Sequence, residues 1–236
     1  MPIMDGEPTS AADVLAISGL APTLAGWLKA GSGIAAQSET WVYASANSAQ
    51  VNLDVSKEYL PGDKIRLVNS STKYFYVIST SVVDDGNGNY TTTINLTGGS
   101  DYALANAAIS QVFFSRATHA YGFPEWFNWA PALTWTAGTA PSGSPTASFK
   151  FAIIGNTLFI DCRATSYTAG ATVTVLLVGL PPGITALAGI GSAQGWISTL
   201  STAINASQAF HTTSDFRIYC NSCAATAWAL MAAVAF

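Results

Sequence analysis

After Glu125 the only acids in this 236-residue chain are Asp161 and Asp215, with Arg163 and Arg217 two positions beyond each. Glycoside hydrolysis needs two carboxylates flanking a sugar at roughly 5–10 Å. On a strand, residues i and i+2 share a face, so each acid is expected to pair with its own arginine, as a structural bridge or an inter-subunit contact. A Ser-His-Asp hydrolase has only His119 and His211 to draw on, and no G-x-S-x-G elbow is present. His211 falls on a strand-like stretch among Thr and Ser and reads as an exposed or interface residue. No catalytic residue is assigned, and a non-enzymatic protein is expected.

Metal chemistry has two candidates. Cys220-Asn-Ser-Cys223 has CxxC spacing, yet Cys162, His119 and His211 are the only further soft or imidazole ligands and none forms a second pair. Because Phe216–Tyr219 reads as a strand, the cysteines are expected to be small core or turn residues. Asp85, Asn87 and Asn89 match the D-x-N-x-N opening of a calcium loop. No glutamate follows at the twelfth position and the flanks are strand-like, so a plain hairpin turn is the expectation. No cofactor signature is present.

Recognition chemistry has a denser signal. Trp126, Phe127, Trp129 and Trp135 lie within ten residues of one another, and rings at that density fill a domain junction, a subunit interface or a ligand platform. Gly122, Pro124 and Pro131 interrupt them, so 116–131 reads as a connector. Burial at an inter-domain or inter-protomer joint is expected for these four and for the terminal Phe236. A sugar-stacking platform is the alternative. Trp196 and Trp228, on strands further along, are the candidate glycan contacts.

The elements that must position these residues read as β. In residues 38–117 the candidate strands are Trp41–Tyr43, Ala49–Val55, Lys64–Asn69, Tyr74–Ser81, Tyr90–Leu96 and Ile109–Phe114, rich in β-branched and aromatic residues. Pro61-Gly62-Asp63 supplies a tight turn, Asn69–Thr72 a loop and Asp84–Asn89 a hairpin tip. A small barrel or sandwich follows. Residues 118–134 are the aromatic junction. Residues 135–236 carry strands at Ser148–Ile154, Asn156–Ala164, Thr172–Leu177, Ala193–Thr199, Gln208–Thr213, Arg217–Cys220 and Ala225–Ala235, with a hairpin turn at Ile154–Thr157. An antiparallel, jelly-roll-like sandwich is expected. Ahead of both, residues 1–37 form an anchor or lead-in, with short helices over Ser10–Leu20 and Thr23–Lys29.

Composition restricts function further. Only 9% of residues are charged, against about 25% in ordinary globular proteins. From Phe151 onward only Asp161, Arg163, Asp215 and Arg217 carry charge, so much of that surface is expected to be covered by other copies of the chain. No stretch reaches roughly 18 continuous apolar residues, which argues against membrane insertion. The opening MPIMDGEPTS is acidic and predicts no secretory signal. A net charge of −4 with scattered basic residues argues against nucleic acid.

The string W-F-N-W-A-P-A-L-T-W (126–135), the Gly/Pro/Ser loop after it, Ile154-Gly155-Asn156 and the block closing on Gly179-Leu-Pro-Pro-Gly183 resemble the C-terminal β domain of small bacteriophage virion proteins of the tail-fibre and baseplate type. Trp41–Ala44, Pro61–Lys64, Tyr74–Val77, Tyr102–Ala105 and Gly122–Trp126 resemble the domain that often precedes it. The resemblance covers about residues 38–190. It implies a non-enzymatic virion protein, usually a homotrimer, assembled in the host cytoplasm and contacting other phage structural proteins through residues 1–37. A tail-fibre or receptor-binding role that recognises a host surface glycan is the leading expectation. A capsid decoration or head-fibre protein is the alternative within the virion, and a carbohydrate-binding module or depolymerase the alternative outside it.

Overall fold

The computed structural model describes residues 26–31, 39–136, 146–165, 173–185, 191–199, 205–211, 214–223 and 225–236. Among these residues all regular structure is β and every pairing is antiparallel. The expected helix over Ser10–Leu20 lies outside the described residues. The one over Thr23–Lys29 is corrected where it is described: Leu28–Lys29 is a strand, β1, added to the edge of the first sheet through Leu28↔Phe114 and Lys29↔Phe113. An unpaired sheet edge satisfies the backbone of so short a segment better than an isolated helical turn can.

The first sheet also contains β2 (Trp41–Ser45), β3 (Ser48–Val51), β4 (Lys64–Asn69), β5 (Ser71–Asp84), β6 (Tyr90–Thr97) and β7 (Ser110–Ser115), in the order β1-β7-β4-β5-β6-β3-β2. It curls around one apolar core. Trp41 near one edge and Phe114 near the other both pack edge-on against Tyr59, with ring centres 5.3 Å away in each case. Two details differ from expectation. Asn69 and Ser71 are register partners, so the expected Asn69–Thr72 loop is a sharp reversal at Ser70, which adopts φ 65°. Gln111, at φ 48°, lies where three steps along β7 oppose two along β4, an extra residue that bends the edge.

β5 determines how the halves meet. Lys-Tyr-Phe-Tyr-Val-Ile has no polar alternation, the pattern of a strand buried on both faces. Phe75 and Val77 enter the first core, while Tyr76 and Ile78 enter the core of the second sheet. Ile78 is the extra residue between the pairs Val77↔Leu96 and Ser79↔Asn95, and this bulge turns the outer part of the strand.

The second sheet contains β8 (Phe127–Asn128), β9 (Leu133–Thr136), β10 (Thr146–Ile154), β11 (Thr157–Thr165), β12 (Val173–Gly179), β13 (Gly191–Thr199), β14 (Asn205–His211), β15 (Asp215–Cys223) and β16 (Ala225–Ala235), ordered β8-β10-β11-β16-β13-β14-β15-β12-β9. Phe151, Ile153, Leu158 and Ile160 from one end of this order share a core with Leu176, Val178 and Phe216 from the other, so the sheet is folded over on itself like a sandwich. The Ala-rich β16 lies in the middle, paired on both sides. The β10–β11 hairpin turns at Gly155-Asn156, where Gly155 takes φ 58° at the first turn position. Within the stretch read as a connector, Phe127–Asn128 is instead β8, paired with Phe151 and Lys150.

Candidate functional site

Where the two sheets meet, side chains and backbone interlock. Phe127 is fully buried, with ring centres at 5.2 Å from Tyr76, 5.4 Å from Phe123, 5.7 Å from Phe151 and 6.0 Å from Tyr102. Trp129 packs against Phe149 and Phe151. The Tyr76 hydroxyl is hydrogen-bonded to the Ile153 backbone. Asp101 accepts from both the backbone N–H and the side-chain amide of Asn128, at 2.7 and 3.0 Å, and Ser100 N–H donates to Asn128 O at 2.7 Å. Trp27, on the lead-in, is buried against Tyr74 and Phe123 and donates its indole N–H to Tyr121 O at 2.9 Å.

Charge in this region is confined to its margin. Lys64 is buried, donates to Ala117 O at 2.8 Å, and lies 5.9 Å from the Tyr76 ring centre and 5.6 Å from that of Phe123. Burial holds its amine below the ordinary lysine value, partly offset by Asp63. Burial raises the Asp63 carboxyl, against the N–H of Leu60 and the Arg116 guanidinium 3.2 Å away. A carboxyl raised on folding contributes stability below its unfolded pKa and loses that contribution as pH rises through its folded pKa. The stability of the natural chain relative to Asp63→Asn is therefore expected to fall from acidic pH to neutrality. Urea titrations of both across that range check this, and a rising difference contradicts it.

The joint borders an open cleft of about 860 Å³. The cleft is lined by Lys64, Tyr76, His119, Tyr121, Phe123, Glu125 and Trp126 together with Ala152, Ile153, Ile154 and Phe159 of the β10–β11 hairpin. Tyr121 is 80% exposed and Trp126 42% exposed. Between buried Phe127 and Trp129 and the open cleft, the expected joint residues thus divide: Trp126 faces outward. Trp135 is on β9, in register with Leu176, and its side chain is outside the described residues. Phe236 packs against the second core and its N–H donates to Asn156 O at 3.2 Å. Trp196 pairs in register with Ala229 and Ala206, and Trp228 with Ile197 and Ala164; both side chains are outside the described residues.

Of the groups read from the sequence as catalytic or metal candidates, His119 lines the cleft together with Lys64 and Glu125, while Asp161, Asp215 and Asp85 do not. Asp161 bridges Arg163 at 2.8 Å and Asp215 bridges Arg217 at 3.1 Å, the same-face pairing read from their spacing. Cys162 is a buried core residue whose thiol is pushed upward by burial, and Cys220-Asn-Ser-Cys223 runs along β15. No group of three metal-ligating side chains occurs among the described residues. At the β5–β6 tip, Asp85 Oδ1 accepts from the Asn87 and Asn89 backbone N–H groups at 2.8 and 3.2 Å, and Oδ2 accepts from the Asn89 amide at 2.8 Å. These bonds, led by the Asn89 side chain, hold the carboxyl below its ordinary value. They close a turn and direct donors, not oxygens, at the carboxylate. Calorimetric titration with calcium is expected to give no binding heat and no rise in melting temperature; a stoichiometric heat contradicts the turn reading.

Tyr121 belongs to the ring-rich connector already read as a joint or sugar platform, whereas Tyr76, Lys64 and Glu125 were not singled out as site residues by sequence reasoning. The unbroken apolar run through β5 is the signal for Tyr76, and nothing in the spacing of Lys64 and Glu125 points to a shared cleft. Comparison of the chain with protein-family models, curated proteins and solved structures finds no match.

Proposed function

We propose that the chain is a non-enzymatic structural protein of a bacteriophage virion, assembled as a homotrimer and serving as a tail-fibre or receptor-binding element. In this reading residues 1–37 form the anchor to other virion proteins, with short helices ahead of β1. The jelly-roll-like second sheet is the part carried outward. The observation that carries the proposal is the near absence of charge from the second sheet, where two Asp–Arg pairs supply all the charge after Phe151. Met231, in the centre of that sheet, is 65% exposed, and Ile154 on the hairpin is also exposed. Apolar surface in a charge-poor setting is stabilised by contact with further copies.

The pairing of Asp161 and Asp215, each with an arginine on its own strand, favours a non-catalytic role for these two carboxylates. Antibody labelling of particles of the phage that carries the chain tests the assignment. Label at the tail is expected. Label on the head favours a capsid decoration or head-fibre protein, and unlabelled, chain-free particles overturn the virion reading.

A further inference from the structure

We propose that the cleft at the joint is a saccharide-binding site, a reading that rests on the receptor-binding role and supplies its ligand class. The two exposed rings, Tyr121 and Trp126, stand at its lip. An aromatic face is electron-rich, and the C–H face of a pyranose is slightly electropositive and apolar, so rings left in water at a cleft mouth suit a sugar better than a wholly apolar ligand. The hydroxyls then need donors and acceptors. Exposed Glu125 supplies a carboxylate, exposed His119 an imidazole, and the Lys64 ammonium has protons beyond the one given to Ala117 O. About 860 Å³ falls within the range of roughly 300–1,000 Å³ that small-ligand sites occupy.

The backbone that carries the two rings is also anchored before any ligand arrives. Tyr121 is fixed through its carbonyl by the Trp27 indole, and the Phe123 N–H donates to Ala120 O at 3.0 Å. Phe123 and Phe127, on either side of Trp126, are anchored in the aromatic joint. A backbone so anchored loses little conformational entropy on binding. Tyr121 contributes its carbonyl, not its side chain, to the Trp27 bond, so truncating either exposed ring leaves the supporting contacts intact.

A printed panel of bacterial capsular and lipopolysaccharide-core oligosaccharides, followed by solution titration of the strongest binder, tests the site, with adsorption to host cells measured in parallel. Saturable binding is expected, weakened about tenfold or more by Tyr121→Ala and by Trp126→Ala, with cell adsorption weakened in step and the melting temperature unchanged. Trp196→Ala and Trp228→Ala are expected to retain binding. Absence of binding across the panel, or binding indifferent to both cleft substitutions, overturns the proposal. So does a cleft substitution that changes the assembly mass, because the cleft is then a contact between copies. Particles that contain the chain but adsorb equally well with either substitution defeat the cleft site and leave the virion role standing. A chain that binds sugar through Trp126 but is missing from particles does the reverse.

Discussion

Gly62→Ala is expected to destabilise the folded chain by about 3–5 kcal/mol, combining the cost of a side chain at positive φ with that of a backbone overlap. Gly62 has φ 86°, and a Cβ built there would lie 1.8 Å from Gly155 O and 2.5 Å from Gly155 C. Neither atom can yield by a rotamer change. Gly62 belongs to the turn between Tyr59 and β4, its N–H donates to Val77 O at 2.9 Å, and Gly155 turns the β10–β11 hairpin. The two tight turns therefore touch only because Gly62 carries no side chain, whereas a Cβ at Gly155 would meet nothing within 4 Å, and relieving the overlap at Gly62 forces the sheets apart beside the cleft. Gly86, at φ 80° with nothing within 4 Å of a built Cβ, isolates the conformational part. Gly86→Ala is expected to cost only about 1 kcal/mol. Denaturant titrations of both variants decide the matter, and equal costs contradict a turn-to-turn contact between the sheets.

Phe127→Ala is expected to cost about 3–5 kcal/mol, the range for deleting a fully buried ring. Its ring contacts Tyr76 and Tyr102 of the first half and Phe151 of the second. The loss should uncouple the halves, so that a single unfolding transition becomes two when fluorescence and far-ultraviolet dichroism are compared. Trp126→Ala, one residue away on the exposed side, is expected to change stability by only about 0.5 kcal/mol. A Phe127→Ala variant that still unfolds in one coincident transition contradicts a dominant role for this ring in coupling the halves.

The strand content was legible because β-branched and aromatic runs bounded by Gly, Pro and Asn translate directly into pleated segments. Lys64–Asn69 and Ala225–Ala235 have the same limits in sequence and structure, and the Gly155-Asn156 hairpin is where its turn residues place it. The helix expected over Thr23–Lys29 did not form at Leu28–Lys29 because an available edge on β7 captured that segment as a strand. The tryptophan cluster marked the joint but not which ring faces outward. That division depends on the pairing of Phe127 with Phe151, a contact set by the second sheet and absent from local pattern. The run Tyr74–Ile78 carries the same two-sided apolar signature as β16, and in β5 the second face is covered by the chain's own second half. The cleft was the least legible feature, since it brings Lys64 and Tyr76 together with residues near 120 and 153 through tertiary packing alone.

Assembly is the central claim, because the charge-poor second sheet, the exposed Met231 and the proposed anchor at residues 1–37 all depend on it. Light scattering coupled to size exclusion on the full chain at micromolar concentration measures it directly. A single species of three times the 24.5 kDa chain mass is expected, and a stable, well-folded monomer would contradict the trimer.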